Sequence, residues 1–223
     1  MYESDFMGLL ATGDREALLT AGRPQAYKAG AALCMEGEPS THVLILVSGW
    51  VKVITVTRDG REMLEALRGP GDVVGEIAGQ VTGYRTATIR AIGTVRALII
   101  GAGQFGEFLD THPGAAQAHR RVMAEQQRIA QEARRNHVLA SGPQRLACLL
   151  LDLVARHGGA GDDAFVAPLP LSQEEIASLI GASRSTVTRA LHDWRSRQII
   201  RTSQRHIRIL DQGRLLKIAG RSS

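Results

Sequence analysis

Two arginines, Arg184 and Arg189, sit among four hydroxyl side chains, Ser183, Ser185, Thr186 and Thr188. Guanidinium groups carry forked donors suited to phosphate oxygens and to the acceptor edges of bases, and short hydroxyls add adaptable donors. This is the chemistry of holding a polyanion rather than of breaking a bond. The surrounding sequence supplies the means to present it. Ser172 followed by Glu175 makes a capping box for one helix, Gly181 supplies a turn, and Ser183 can cap a second helix. On that second helix Val187, Ala190, Leu191 and Trp194 recur on one side. Arg184, Ser185, Thr188 and Arg189 therefore face outward near its N-terminus, the end that enters a DNA major groove in helix-turn-helix proteins. A helical pair built only to pack needs the apolar stripe, but not the cap, the glycine turn and the exposed arginines together.

Charge distribution agrees. The chain has 223 residues with a net charge of +5. Residues 1–112 hold 10 basic against 13 acidic side chains, residues 113–138 hold 5 against 2, and residues 139–223 hold 12 against 7. Eight arginines fall between 182 and 214, facing only Asp193 and Asp211. An acidic front and a basic back place any polyanion contact at the back.

Three stretches must position these residues. Residues 26–28, 33–35, 43–46, 50–55, 62–67, 86–91 and 95–99 are β-branched or alternating, and glycines separate them. That punctuation predicts an antiparallel roll or sandwich, with Asp59-Gly60 as its clearest hairpin turn. Residues 5–21, with Phe6, Leu9, Leu10, Leu18 and Leu19, predict one or two short helices packed on the roll. Pro113 opens a run with a single early glycine, in which Ala115, His119, Val122, Met123, Gln126, Ile129, Ala130 and Ala133 form a thin stripe at helical spacing. So narrow a seam suits pairing with a second copy across a two-fold axis, the competing reading being a helix laid along the roll of its own subunit. Ser141-Gly142-Pro143 reads as a hinge. Beyond it come an apolar helix over 145–157, a Gly/Asp loop over 158–163, a strand over 165–169 and a further strand with Ile207 and Ile209, the last giving a β-wing with Arg205 near its tip. The expected organisation is an α+β chain: an antiparallel β-roll over 1–112, a long dimerisation helix over 113–139 and a winged helix-turn-helix over 140–223.

Several classes are excluded or disfavoured. The apolar runs 43–47 and 148–151 are far shorter than the roughly 20 residues a membrane helix needs. The start of the chain lacks the basic-then-apolar pattern of a signal peptide, so a cytoplasmic protein is expected. Cys34 and Cys148 are the only cysteines. They cannot form a disulfide framework, a four-thiolate zinc site or a four-cysteine cluster within one chain, and their apolar surroundings read as buried small hydrophobes rather than redox sensors. No nucleophile–His–acid set, Walker loop or metal-ligand spacing is present, so neither an enzyme nor a metal protein is expected.

A roll, a long helix and a winged helix-turn-helix in this order resemble the cyclic-AMP receptor protein/FNR family of bacterial transcription regulators. The resemblance spans nearly the whole chain. It rests on Gly37-Glu38, Gly49, Gly60, Gly69-Pro70-Gly71-Asp72, Gly75-Glu76-Ile77-Ala78, Arg85-Thr86-Ala87 and the helix-turn-helix. It implies that Gly75, Glu76, Ile77, Ala78, Arg85, Thr86 and Ala87 look like a cassette for the phosphate and ribose of a cyclic mononucleotide. Ala78 departs from the glycine usual there. The residue types suit that role: a guanidinium gives the cyclic phosphodiester a charge-assisted contact, Gly75 lets backbone donors approach, and Glu76 can accept from the ribose 2′-hydroxyl. Members that sense other signals commonly lack the arginine.

Colinear placement puts Ala130 and Gln131 where cyclic-AMP receptors of the family carry a Thr-Ser pair that reaches adenine. Thr86 resembles the threonine beside the phosphate arginine in cyclic-GMP-selective domains. The resemblance therefore leans slightly to cGMP over cAMP. At the other end, Arg184 and Arg189 match positions that read guanines, and Ser185 replaces a glutamate that reads cytosine. Ser172, Gln173, Ser183, Thr186 and Arg205 are candidates for phosphate contacts. The expected partners are a palindromic DNA operator, a second copy of the chain and RNA polymerase, the last through a loop near 156–163 whose Gly/Asp composition does not resemble the best-known contact surface. The alternative is a family member that binds DNA without a nucleotide or senses a different signal, such as a redox change.

Overall fold

The computed structural model describes residues 5–60, 62–77, 83–158, 165–204 and 206–221. They form two compact units, Asp5–Ala124 and a second that begins at Glu125.

The first unit opens with helices α1 (Phe6–Leu9) and α2 (Thr12–Ala21). Asp5 starts α1 by accepting from the Gly8 N–H at 2.7 Å. Six strands follow: β1 (Arg23–Tyr27), β2 (Ala32–Cys34), β3 (His42–Val56), β4 (Glu62–Arg68), β5 (Val73–Val74) and β6 (Thr88–Gly101). They pair antiparallel in the order β1-β6-β3-β4, with β2 on β6 and β5 on β3.

Two expected strand pairs merge. Residues 43–46 and 50–55 are one strand, β3, and 95–99 continues from 88–91 within β6. The glycine between 46 and 50 marks a bulge rather than a turn. The β3–β6 register shifts on both sides of Ser48. Gly49 has φ +84°, and a Cβ there would strike the Thr94 carbonyl, so only glycine fits the kink. Gly60 does make the expected tight turn, its N–H donating to Thr57 O at 2.9 Å between β3 and β4.

Alternation of side chains along β3 and β6 divides the apolar residues between two clusters. Leu33, Cys34, Leu44, Leu46, Val74, Ile89 and Ala91 fill the interior of the roll. Val43, Ile45, Leu98 and Ile100 point the other way, against Phe6, Leu18 and helix α3 (Ala102–Thr111), an element hidden at sequence level in the last part of the strand-rich stretch. Helix α4 (Pro113–Leu139) then begins, and Ala115, Ala118 and Val122 join this second cluster. The apolar stripe of α4 is thus divided. Its first turns are covered by Phe6, Phe105 and Phe108 of the same chain, while Met123, Gln126 and Ile129 are half-buried and Ala130 and Ala133 exposed. The part of the stripe beyond Val122, expected to face a second copy, lies outside this cluster.

The second unit carries the rest of α4, steadied in solvent by Arg128, which pairs with Glu125 and Glu132 at 2.6 Å each. Helix α5 (Gly142–His157) starts earlier than its apolar spacing indicates, because Ser141 and Gln144 form a capping box that encloses Pro143 in the first turn. Strand β7 (Val166–Pro168), helices α6 (Gln173–Leu179) and α7 (Arg184–Ser196), strands β8 (Ile200–Ser203) and β9 (His206–Ile209) and helix α8 (Gln212–Ala219) complete it. The wing has three strands in the order β7-β9-β8. Leu146, Leu150, Leu153, Val187, Ile199 and Leu215 are fully buried in its core. Among the described residues no helix is long and apolar enough to cross a membrane.

Candidate functional site

In the first unit, the roll brings Gly75, Glu76 and Arg85 together. Arg85 precedes β6, with its backbone tied to the loop after β2: its N–H donates to Glu38 O at 2.8 Å and its carbonyl accepts from Gly37 N at 2.9 Å. Its guanidinium donates from Nη1 to Gly75 O at 2.8 Å and from Nη2 to His42 O at 2.7 Å. The side chain is consequently aimed, and only 4% of the residue is exposed. The two bonds engage one hydrogen on each terminal nitrogen, leaving donors to meet an anion. Gly75 has φ +86°, and a Cβ there would collide with Arg85 Nη1, so this approach requires glycine.

Glu76 begins a helical turn directly after Gly75 and is 5% exposed. Burial pushes its carboxyl above the usual range, against the pull of its own backbone N–H and of the Arg68 and Arg85 guanidiniums. A buried cation and a buried carboxylate, within electrostatic reach of each other and of the buried Asp72, suit a ligand with an anionic part and a hydroxyl part. A cyclic phosphodiester on a ribose is such a ligand. Ile77 and Thr86 are exposed and Ala87 half-buried beside this pair, while Ala78 lies outside the described residues. Ala130 and Gln131 are exposed on α4 in the other compact unit.

One contributor was missed at sequence level. His42 supplies only a carbonyl, which no side-chain pattern reveals. Cys34 lies close enough to Arg85, Glu38 and Glu76 to feel their charges, and burial drives its thiol to about 11, so it stays protonated and unreactive near neutrality. Burial likewise raises the Cys148 thiol.

In the second unit, the helix-turn-helix has the expected parts. Ser172 Oγ accepts from Glu175 N at 3.2 Å while Glu175 Oε2 accepts from Ser172 N at 2.9 Å. Ser183 Oγ accepts from Thr186 N at 3.2 Å and shares hydrogen bonds with the Ser185 and Thr186 hydroxyls. These caps occupy Ser172, Ser183 and Thr186 with structural bonds, without burying Ser172 or Ser183. Gly181 has φ +59°, and a Cβ there would strike the His137 ring. Arg145 braces the turn, donating to Ile180 O at 2.6 Å, Gly181 O at 2.8 Å and Ala140 O at 2.5 Å.

Val187, Ala190, Leu191 and Trp194 are buried on α7, and Arg184, Ser185, Thr188 and Arg189 are exposed on its other side. Arg189 Nε donates to Ser185 O at 3.4 Å, Thr188 Oγ1 to Gln173 Oε1 at 2.6 Å, and Arg184 pairs with Glu174 at 3.2 Å. Glu174 is a further residue that sequence reading did not single out. Arg205 lies outside the described residues, as does most of the 158–163 loop. Among the described residues no three His, Cys, Asp or Glu side chains group to hold a metal ion.

Residues 24–112 match a family profile described as a cyclic nucleotide-binding domain, and residues 144–218 match a Crp-like helix-turn-helix domain. A CRP-like cAMP-activated global transcriptional regulator of Mycobacterium tuberculosis is 34% identical over 203 residues, 91% of each chain. The chain belongs to the CRP/FNR family of transcription regulators. The transcriptional activator protein FnrA of Stutzerimonas stutzeri is 26% identical over 91% of this chain and 82% of its own. Family relatives are DNA-binding transcription regulators, not enzymes, and this chain is a DNA-binding regulator of that family with a cyclic-nucleotide-binding domain. The structure of FixK2 from Bradyrhizobium japonicum covers 91% of this chain and 99% of its own with a TM-score of 0.75. At 23% identity it shows that the CRP/FNR fold is shared.

Proposed function

We propose that the chain works as a homodimer whose affinity for a two-fold-symmetric DNA operator is set by a cyclic mononucleotide bound at Gly75, Glu76 and Arg85. The observation that carries this reading is the burial of Arg85 and Glu76 together beside Gly75, with guanidinium donors left over after the two bonds of Arg85 to carbonyls. The three-part division 1–112, 113–139 and 140–223 goes with it, the part of α4 beyond Val122 supplying the seam between copies. The cell interior is its place of action, and contact with RNA polymerase would fall near 156–163.

The effector is a purine mononucleotide. Thr86, exposed next to Arg85, favours cGMP, as do the missing hydroxyls at Ala130 and Gln131. The M. tuberculosis relative is named as cAMP-activated, which moves the balance to cAMP. On DNA, Arg184 and Arg189 read guanine edges, with Thr188 and Ser185 beside them, while Ser172, Gln173, Ser183, Thr186 and Arg205 face phosphates. The nucleotide needs only to bind the DNA-competent arrangement better than the other, one in which the two recognition helices stand about 34 Å apart.

A second reading has its own support. Both terminal nitrogens of Arg85 already bond to carbonyls, an arrangement that also serves a protein needing no nucleotide. Calorimetric titration with cAMP and cGMP, with Arg85→Ala as control, separates the two. Micromolar binding abolished by the substitution, together with operator affinity that rises with nucleotide and falls with salt, is the expected result. Operator binding that neither nucleotide changes, and that Arg85→Ala retains, would overturn the gating.

A further inference from the structure

Glu174 places a carboxylate on a face otherwise built to meet DNA. It stands in the first turn of α6, and its Oε1 takes Arg184 Nη1 at 3.2 Å. The side chains are 71% and 67% exposed, so the pair contributes little to folding. Nor is Glu174 needed as a cap, since Glu175 already closes the box with Ser172. The neighbouring residue behaves in parallel: Gln173 Oε1 accepts from Thr188 Oγ1 at 2.6 Å. Two consecutive residues of α6 thus each hold a side chain of α7, one turn apart.

We infer that Glu174 is a positioning and specificity-determining residue for DNA reading, acting through Arg184; this rests on the proposed base-reading role of Arg184. A free arginine samples many rotamers, and a forked contact to guanine O6 and N7 demands one direction of the guanidinium plane. A carboxylate engaging Nη1 orients the group while leaving donors on Nε and Nη2 for the base. The same negative charge repels every phosphate it nears, whatever the sequence. Non-specific binding, which is almost wholly electrostatic, bears that repulsion with no compensating base contact. Glu174 therefore raises the ratio of specific to non-specific affinity more than it raises affinity.

The test uses the full-length protein and a duplex that the wild type selects from a random pool, with cAMP or cGMP present. Fluorescence anisotropy then gives affinity for that duplex and for a scrambled one. For Glu174→Ala, non-specific affinity rises about twofold and specific affinity falls, so selectivity drops about three- to tenfold. Glu174→Gln keeps an acceptor oxygen and restores most of the specific affinity while keeping the gain on scrambled DNA. In an Arg184→Ala background Glu174→Ala no longer lowers specific affinity: relief of phosphate repulsion raises affinity for both duplexes about twofold and leaves selectivity unchanged, because the orienting interaction is already gone. Selectivity within twofold of wild type for Glu174→Ala, or simple additivity with Arg184→Ala, would overturn the inference and leave DNA binding standing. A wild type that selects no sequence with either nucleotide or without one would remove the DNA-reading assignment itself, and this inference with it.

Discussion

Arg85 and Glu76 are 4% and 5% exposed, whereas Arg184 keeps 67% of its side chain in solvent. In the roll, charge is enclosed by the strands and aimed by backbone carbonyls, so the bonds that would present the proposed ligand site also hold the fold. In the helix-turn-helix, the apolar stripe of α7 supplies stability, and the arginines stand apart from it. A site for a small ligand must exclude water and preset its few polar contacts. A site for a long polyanion must stay open and keep its side chains adjustable.

This contrast predicts that substitutions at Gly75, Glu76 and Arg85 damage folding and binding together, while substitutions of the exposed arginines of α7 damage binding alone. The largest effect belongs to Gly75→Ala. A left-handed backbone costs an L residue about 1–2 kcal/mol, and the added methyl must also displace Arg85 Nη1. Chemical denaturation should show that loss, and calorimetry should show nucleotide binding weakened beyond detection. Unaltered stability with intact binding would break the comparison from the roll side. Next come Arg184→Ala and Arg189→Ala. Each should lose about 1–3 kcal/mol of discrimination at its guanine, with stability changed by no more than about 0.5 kcal/mol. A substantial fall in melting temperature for either would break it from the other side.

The smallest effect concerns His119, a buried imidazole of the roll unit set edge-on to Phe6 and Phe105 at 6.0 and 5.6 Å. Burial first, then Arg120, holds its pKa below the ordinary 6.5. The unfolded chain then takes up the proton first. Stability is full above about 6.5 and declines as pH falls from there towards the lowered folded value. His42, lowered by burial and by Arg85, acts in the same direction. Denaturation midpoints measured between about pH 7.5 and about pH 5.5 should fall in the wild type and fall less in His119→Leu, the remainder belonging to His42 and other groups. Equal slopes would show that burial of the imidazole does not govern the acid response.

The helix-turn-helix was the most legible part of the sequence because its determinants are local. A cap, a glycine and a helical stripe lie within some two dozen residues, and each acts on its neighbours in the chain. The roll was legible as a class, but its strands were miscounted. Gly49 looks the same in sequence whether it serves a turn or a bulge. The deciding atom, the Thr94 carbonyl, comes from β6, which is distant in sequence. Helices α3 and α8 were passed over for a similar reason. Their periodic residues are few, and partners from elsewhere, such as Val43 and Phe6 around Phe105, complete their burial.

By itself the sequence determined the order of roll, long helix and winged helix-turn-helix, the exposed arginines of α7 and the likeness of Gly75-Glu76 and Arg85 to a phosphate cassette. These follow from residue type, short-range spacing and turn chemistry. Only the tertiary structure decided that Arg85 is aimed by the carbonyls of Gly75 and His42, that the first turns of α4 are buried under Phe6, Phe105 and Phe108, and that Glu174 grips Arg184. Each of those depends on which distant backbone or side-chain atom arrives beside a residue. Such meetings are set by strand register and helix packing, which no local pattern encodes.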